Sequence, residues 1–338
     1  MLAKKLLNIL SIALIYCGAV FGAGFASGRE IFSFFSCYKM SGIVSSVFVG
    51  FLFSFFGYVV CNYSYKMNIK NADEYFCALF TKKCAIIFSF VANAFLILSF
   101  CIMITGCGAL FCEQFGISVV WGALFSLVIC FFVIKNKVGG LEKFNLLVTP
   151  LMFFGVILLC FLCMKLPKTN SIGAEEVVST SISGLLYLSY NMVSAVAVLV
   201  SAAKLAKTPH QAGLGGAIGG ILVGVPLVLM SIVLAYHWDV ASYPLPFFTL
   251  VYNNFPSFSF LCTVVLYFAM MTTAVSSGVA VVENATPSKS GKYAFLLCVL
   301  AFFISFLPFA TLVQTVYSAF GIIGTALVIG ILLKTLRK

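Results

Sequence analysis

A run of glycines near the N-terminus contains the backbone groups of this chain that are best suited to binding a ligand. Residues 18–28 read Gly-Ala-Val-Phe-Gly-Ala-Gly-Phe-Ala-Ser-Gly, with four glycines in eleven positions. A glycine costs ~1 kcal/mol against alanine inside a helix, so this stretch favours an unwound segment whose free amides and carbonyls line a polar cavity. Close helix packing is the alternative, because Gly18 with Gly22 and Gly24 with Gly28 form two G-x-x-x-G pairs. The residues themselves leave both interpretations open.

A charged pair, Arg29-Glu30, follows the glycine run directly. Each charge would cost ~2.5–3.5 kcal/mol at the centre of a bilayer. At 1.5 Å per residue the pair lies about 9 Å outward of Gly24, so we expect both residues in a vestibule on the extracellular side. They act there either in an ion pair or network, or as a gate that contacts a ligand.

Two further segments carry polar side chains on otherwise apolar helices. At 3.6 residues per turn, Thr273, Ser276 and Ser277 share one helix face. Such hydroxyls commonly bond to their own helix or cushion helix packing, but hydroxyl and carbonyl oxygens are also ligands that a sodium ion accepts. The second segment is unusually polar for a membrane helix and contains Ser181, Ser183, Gly184, Tyr187, Ser189, Tyr190, Asn191 and Ser194.

The elements that carry these groups are membrane helices. Hydrophobic residues make up 62% of the 338 positions and charged residues only 9%, whereas about a quarter of a soluble domain is charged. Apolar runs of about 20 residues, the length that crosses a bilayer as a helix, follow one another along the chain. We predict one membrane domain, 1–338, with ten spans at 8–35, 41–65, 84–112, 116–134, 144–164, 176–203, 211–236, 257–283, 293–309 and 311–334.

The distribution of basic residues predicts how the chain is oriented. With ten spans, sixteen lysines and arginines fall on one side and only four, Arg29, Lys39, Lys165 and Lys168, on the other. The positive-inside rule then places the sixteen, and both termini, in the cytoplasm. We therefore attribute the net charge of +11 to the cytoplasmic loops and termini of a cell-membrane protein, whose partner is the lipid bilayer. We expect no nucleic acid and no protein partner.

The ten spans divide into two groups of five, 8–164 and 176–334, of nearly equal length. Because five is an odd number, the second group enters the membrane from the opposite side. This topology is typical of an inverted repeat, in which interrupted helices lie at corresponding places, here spans one and six. The predicted fold class is an all-α membrane protein with a 5+5 inverted repeat.

The sequence does not favour an enzyme or a metal centre. Its two histidines, His210 and His237, lie at loop edges, and we predict no catalytic residue. Cys160 and Cys163 form a C-x-x-C motif, which is either a metal or redox pair or, as we expect, two polarisable residues packed between helices. No cofactor is predicted apart from a sodium ion.

The stretch from Gly22 to Ile31 reads G-A-G-F-A-S-G-R-E-I. It resembles the signature G-A-G-F-A-S-G-x-E-I of the YkvI-type membrane proteins, and the length and compact loops agree with that family over essentially the whole chain. The family is similar to the amino acid–polyamine–organocation superfamily. The resemblance implies the leucine-transporter fold, in which two inverted five-helix repeats carry broken helices 1 and 6.

The resemblance also implies a substrate site at the middle of the membrane. Backbone amides of the unwound first span would receive a substrate carboxylate, helped by the positive end of the following half-helix. Span six would supply side-chain walls, gates and one polar contact. The implied substrate residues are Gly22, Ala23, Gly24, Tyr187, Tyr190 and Asn191.

The resemblance also implies a sodium site beside the substrate site. The carbonyls of Gly18, Phe21 and Thr273, with the hydroxyls of Ser276 and Ser277, would match the common ion site of this fold. A second ion site is not expected, because Phe25 stands where two-ion relatives have asparagine. Span five lacks the lysine of proton-coupled relatives, which also favours sodium, although Glu30, His237 or Glu283 could carry a proton instead.

We therefore expect a secondary transporter that moves an amino acid or a similar small zwitterion by alternating access, coupled to one sodium ion. Proton-coupled or uncoupled transport of another small solute is one alternative. A channel is disfavoured because the polar residues cluster in spans one, six and eight. A sensor with the transporter fold, which binds its ligand without moving it, is a further alternative.

Overall fold

The structure is a computed structural model that describes residues 2–168, 177–243, 245–285, 290–307 and 324–334. All regular secondary structure within these ranges is helical. The helices are α1 (Leu2–Val20), α2 (Ala23–Ala26), α3 (Arg29–Phe34), α4 (Lys39–Lys66), α5 (Ala72–Leu79), α6 (Lys82–Phe115), α7 (Val119–Lys135), α8 (Lys137–Cys163), α9 (Val177–Ala203), α10 (Pro209–Tyr236), α11 (Pro246–Asn254), α12 (Ser259–Asn284), α13 (Ser290–Ile304) and α14 (Gly324–Lys334).

The helices identify a multi-pass membrane protein. Six helical segments in the described ranges are long and apolar enough to cross a bilayer, and four shorter apolar helices accompany them. Large apolar side chains point outward, including Phe51, Phe90 and Leu147, which are 70%, 74% and 78% exposed. Such a surface suits hydrocarbon and not water. The count of ten spans stays a prediction, since the first part of the predicted tenth span lies outside the described residues.

The predicted first span, 8–35, is divided into three helices. Helix α1 ends at Val20, whose carbonyl accepts a 2.8 Å hydrogen bond from the amide of Gly22. Helix α2 begins at Ala23 and is followed by Gly28, whose φ of +79° is a conformation that glycine adopts without strain. Helix α3 then starts at Arg29. The chain therefore leaves helical geometry twice within the glycine run.

The prediction that span six is interrupted was wrong. Helix α9 is continuous from Val177 to Ala203. Two of its polar side chains find acceptors within the helix: Ser189 donates to the Leu185 carbonyl at 2.6 Å, and Asn191 donates to the Tyr187 carbonyl at 2.9 Å. Because these groups are satisfied one turn back, their polarity does not require the backbone to unwind.

The helix that contains the predicted fifth span, 144–164, extends further toward the N-terminus. Helix α8 starts at Lys137, seven residues before that span, and carries Glu142. The Ser11 hydroxyl of α1 donates to Oε1 of Glu142 at 2.7 Å, so the carboxylate has a buried partner on the neighbouring helix. Cys160 and Cys163 are both buried and free in this helix.

Helix α1 lies at the centre of the bundle and packs against α8, α9, α10 and α12. Helices α4 and α10 pack closely beside it because small residues face each other. A Cβ added to Gly50 would lie 3.1 Å from the Cα of Gly224 on the other helix. Backbones approach in this way where membrane helices meet at glycine.

One end of the bundle, here called the basic end, is closed by polar contacts between helices. It contains Lys66, α5, Lys204 and the C-terminal ends of α12 and α14. Lys204 forms an ion pair with Glu283. The Asn284 carboxamide oxygen accepts from the amide of Ala72 at 3.1 Å.

At the opposite end α11 lies against the first span. The amide of Phe247 donates to the Ser27 carbonyl at 2.9 Å, and a Cβ on Gly28 would lie 2.7 Å from the Phe247 Cβ. Arg29 reaches the carbonyl of Ala241 through Nη1 at 2.9 Å. The apolar segment before α12 therefore covers the outer end of the glycine run.

Candidate functional site

The break after α1 faces a hydroxyl of α12. The Thr273 Oγ1 lies 2.9 Å from the Phe21 carbonyl oxygen and 3.2 Å from the Gly18 carbonyl oxygen. Both carbonyls lie where the regular helix stops. Three of the five predicted sodium ligands are thus brought together, although Thr273 contributes its hydroxyl here and the sequence argument used its carbonyl.

The other two predicted ion ligands, Ser276 and Ser277, are also buried on α12. The Ser276 hydroxyl has no hydrogen-bond partner among the described residues, which is costly for a buried polar group. The Ser277 hydroxyl donates to the Ser99 hydroxyl of α6 at 3.5 Å. One oxygen on this face is therefore available to a ligand.

Sequence reasoning missed a polar pair beside Gly18. The Thr149 hydroxyl donates to the Asn145 carboxamide oxygen at 2.9 Å, and both side chains are fully buried in α8. A Cβ on Gly18 would collide with that same oxygen of Asn145. Two polar residues four positions apart in an apolar span were a signal that could have revealed them.

The carboxylate of Glu30 lies against Gly24, one of the predicted substrate residues. The Glu30 side chain folds back from α3, so that a Cβ on Gly24 would collide with its carboxylate. The Tyr190 hydroxyl of α9 donates a hydrogen bond to Oε2 of this carboxylate. Gly22 and Ala23 are buried next to it, and Thr273 Oγ1 would lie 3.8 Å from a Cβ on Gly22. The substrate and ion residues of the first span are therefore neighbours.

Arg29 and Glu30 turn to different partners. Glu30 is half-buried and bonded to Tyr190, whereas Arg29 is exposed and bonded to the carbonyl of Ala241. Both residues were expected in an outer vestibule, either in an ion pair or network or as a gate that contacts a ligand. Only Glu30 reaches the polar core, because the sharp turn at Gly28 directs the first turn of α3 back over α2.

Aromatic rings from the end of α3 and from α9 cluster with Tyr190, whose hydroxyl binds this carboxylate. The Tyr187 ring lies 5.0 Å from Phe35, 5.5 Å from Phe34 and 5.5 Å from Tyr190, measured between ring centroids. The Tyr187 side chain is fully buried, and its hydroxyl has no partner among the described residues. An aromatic wall with an unpaired hydroxyl suits a small solute with both apolar and polar parts.

Asn191 takes a different position from the predicted polar contact. Its side-chain amide is bonded to the Tyr187 carbonyl of its own helix at 2.9 Å. It thus supports the turn of α9 that carries Tyr187 and Tyr190.

Comparisons with known proteins agree with this architecture. No protein-family model matches the sequence. The uncharacterized membrane protein YkvI of Bacillus subtilis (strain 168) is 27% identical over 332 residues, covering 96% of this chain and 95% of the relative. The uncharacterized protein YyaD of the same organism is 24% identical over 329 residues, covering 95% of each.

Solved structures similar to this one are transporters. A Na+-coupled sialic acid symporter, in a substrate-bound outward-open state, superposes with a TM-score of 0.65 at 14% identity, covering 94% of this chain and 75% of the symporter. A manganese transporter of Eremococcus coleocola gives a TM-score of 0.50 at 14% identity, covering 96% of this chain and 70% of that one. The chain is a multi-pass helical membrane protein whose fold is similar to that of these two structures, and its sequence is similar to that of uncharacterized proteins of Bacillus subtilis.

Proposed function

We propose that this protein is a secondary transporter that moves an amino acid or a similar small zwitterion by alternating access, coupled to one sodium ion. The observation that carries the proposal is the contact of Thr273 with the carbonyls of Gly18 and Phe21 at the break after α1. Carbonyls released at a broken helix are the groups that coordinate ions in transporter folds. The two halves form an inverted repeat in this proposal, and the protein belongs to the amino acid–polyamine–organocation superfamily.

The sodium site consists of five oxygens on α1 and α12. The carbonyls of Gly18, Phe21 and Thr273 supply three, and the hydroxyls of Ser276 and Ser277 supply two. The unpartnered Ser276 hydroxyl supports this assignment, since an ion would satisfy a group that is otherwise buried without a bond. One charge that crosses 100 mV releases ~2.3 kcal/mol, enough for about a 50-fold gradient of a neutral solute. One ion is therefore sufficient.

The substrate lies between the break and the aromatic wall of α9. Its carboxylate binds the amide of Ala23, in the first turn of α2, where N–H groups lack helical acceptors, and the Gly22 amide beside it stays bonded to the Val20 carbonyl. Glu30 supplies negative charge at Gly24, so a second carboxylate is repelled there and the ammonium end of a zwitterion is attracted. Tyr190 holds Glu30 in place and acts with Tyr187 as the gate.

Uptake into proteoliposomes tests the function. The purified protein, with sodium outside, is expected to accumulate a labelled amino acid, and potassium in place of sodium abolishes the accumulation. The double variant Ser276→Ala/Ser277→Ala should lose this sodium dependence. Ser231→Ala is the control, because its buried hydroxyl bonds only its own helix at Leu227. An unchanged sodium response in the double variant contradicts the ion site.

A proton-coupled mechanism is a second candidate, favoured by the Glu30 carboxylate at the substrate position. Uptake driven by a pH gradient without sodium, and lost in Glu30→Gln, would select it. Saturable binding without uptake into sealed vesicles would instead identify a sensor. In all three cases we place the protein in the cytoplasmic membrane with both termini and the basic end inside.

A further inference from the structure

A cavity at the basic end is separate from the site between α1, α9 and α12. It has a volume of about 180 Å³ and lies between α4, α5 and α14. Its polar lining comes from Asn62, Lys66, Tyr75 and Lys334, together with the tyrosines Tyr58 and Tyr63, and its apolar lining from Val59, Leu79 and Ile331. Neither the ion site nor the substrate site uses any of these residues.

Two buried polar atoms of this cavity lack a partner among the described residues. They are the hydroxyl of Tyr75, a fully buried side chain, and the carboxamide oxygen of Asn62. Leaving such a group unpaired costs ~1–3 kcal/mol. Burial raises the pKa of the Tyr75 phenol, so its hydroxyl keeps the proton and can donate. The residues that line the cavity therefore include one donor and one acceptor without a partner among the described residues.

Two lysines add positive charge at the same place. Lys66 is exposed at the end of α4, and Lys334 is half-buried at the end of α14. The acidic side chains of α5 are engaged elsewhere: Glu74 accepts from the amide of Lys70 at 2.8 Å, and Asp73 accepts from Asn93 at 3.4 Å. The charge that the cavity presents is therefore basic.

The cavity borders the surface that faces lipid. Met67 and Leu333, which follow Lys66 and precede Lys334 in the chain, are both 53% exposed. Lysines at the ends of membrane helices lie at the level of lipid headgroups. A basic pocket in that position, with apolar walls, matches a head that carries a phosphate and remains attached to acyl chains.

We propose that this cavity binds a phosphate ester with a free hydroxyl, namely the head of an anionic phospholipid such as phosphatidylglycerol. Lys66 and Lys334 pair with the phosphate, and the Tyr75 hydroxyl donates to one of its oxygens. The Asn62 oxygen accepts from a hydroxyl of the head. The bound lipid joins α4, α5 and α14 at the basic end.

Native mass spectrometry of the detergent-purified protein tests the proposal. Phosphatidylglycerol is titrated against phosphatidylcholine with the same acyl chains. We expect one tightly bound phosphatidylglycerol molecule. Its affinity should fall about 30-fold in Lys66→Gln/Lys334→Gln, since each lysine near an anionic headgroup raises the affinity about fivefold. Lys82→Gln/Lys83→Gln removes the same charge from exposed positions at this end and should retain the binding.

Tyr75→Phe separates the cavity from general charge effects, because it deletes only the unpaired hydroxyl. We expect about a tenfold loss of affinity, with no loss of melting temperature when no lipid is added, since the deleted hydroxyl has no hydrogen-bond partner among the described residues. Free glycerol phosphate distinguishes the source of the ligand. If it displaces the lipid at millimolar concentration, the head alone is recognised; if it does not, the acyl chains are required. Equal binding of both lipids, or equal loss in both lysine pairs, overturns the proposal.

Discussion

The hydroxyl of Tyr190 donates a hydrogen bond to the carboxylate of Glu30, although the two residues are 160 positions apart in the chain. This contact joins α9 to the short helix that follows the break in the first span. The same carboxylate lies against Gly24, so one side chain touches both elements of the proposed substrate site. A substrate that enters the site must meet or displace it.

We predict that Glu30→Gln weakens binding of amino acids selectively. Glutamine keeps the size of the side chain and an acceptor for Tyr190, but it removes the charge that attracts an ammonium group. The affinity should fall at least tenfold for an amino acid and little for the hydroxy acid of the same skeleton, which lacks the ammonium group. Ligand-induced shifts in melting temperature measure the affinities for both ligands. An equal loss for the two ligands would show that Glu30 does not contact the amine.

Gly24→Val should abolish ligand binding while the protein still inserts and folds. A Cβ at this position collides with the Glu30 carboxylate, so the carboxylate or α2 must move. Gly139→Val is the matched control, because the space around the Cβ of Gly139 is open. Elution as a single species in detergent, with ligand stabilisation lost only in Gly24→Val, is the expected result. Retained binding would place the substrate elsewhere.

Thr273→Val tests the ion site at its centre. Valine has nearly the same shape as threonine but cannot bond the carbonyls of Gly18 and Phe21. We expect the melting temperature to fall, since the single proton of this hydroxyl is shared by two buried carbonyls and its loss costs about 1–3 kcal/mol. Stabilisation by sodium over potassium should also be lost: the Thr273 carbonyl remains in valine, but the hydroxyl that holds the Gly18 and Phe21 carbonyls at the ion site is gone.

The control for this variant is Thr263→Val in the same helix, whose hydroxyl bonds its own backbone at Ser259. It should retain the sodium response. A sodium response that survives in Thr273→Val would separate the break in the first span from ion binding.

Gly18→Ala should destabilise the protein through Asn145. The added methyl group collides with the carboxamide oxygen of Asn145, and two other side-chain atoms lie 3.1 Å from it. Combination with Asn145→Ala removes the main obstacle, so the double variant should recover part of the lost stability. The coupling in a double-mutant cycle is expected to be at least ~1 kcal/mol. Additive losses of stability would show that neighbours other than Asn145 oppose a larger side chain at position 18.

The sequence determined by itself that the protein is built of membrane helices, and it located the polar segments. Hydropathy and length report the solvent in which each segment lies, and this property depends on neighbours along the chain. The glycine run also marked the stretch where the first span departs from a helix, because the cost of glycine in a helix is local, but it left close helix packing as an equal alternative. Hydropathy did not show that α8 begins at Lys137 and includes Glu142, whose partner Ser11 lies on another helix.

Only the tertiary structure decided which polar groups meet. It showed that α9 continues through its polar segment, since Ser189 and Asn191 bond their own backbone. It also brought Glu30 onto Gly24, set Asn145 beside Gly18, and enclosed the phenol of Tyr75 in a cavity. These pairings depend on the angles and distances at which helices pack, which periodicity in one segment does not encode. Composition therefore predicted the solvent of this protein, and packing selected the partners of its few buried polar groups.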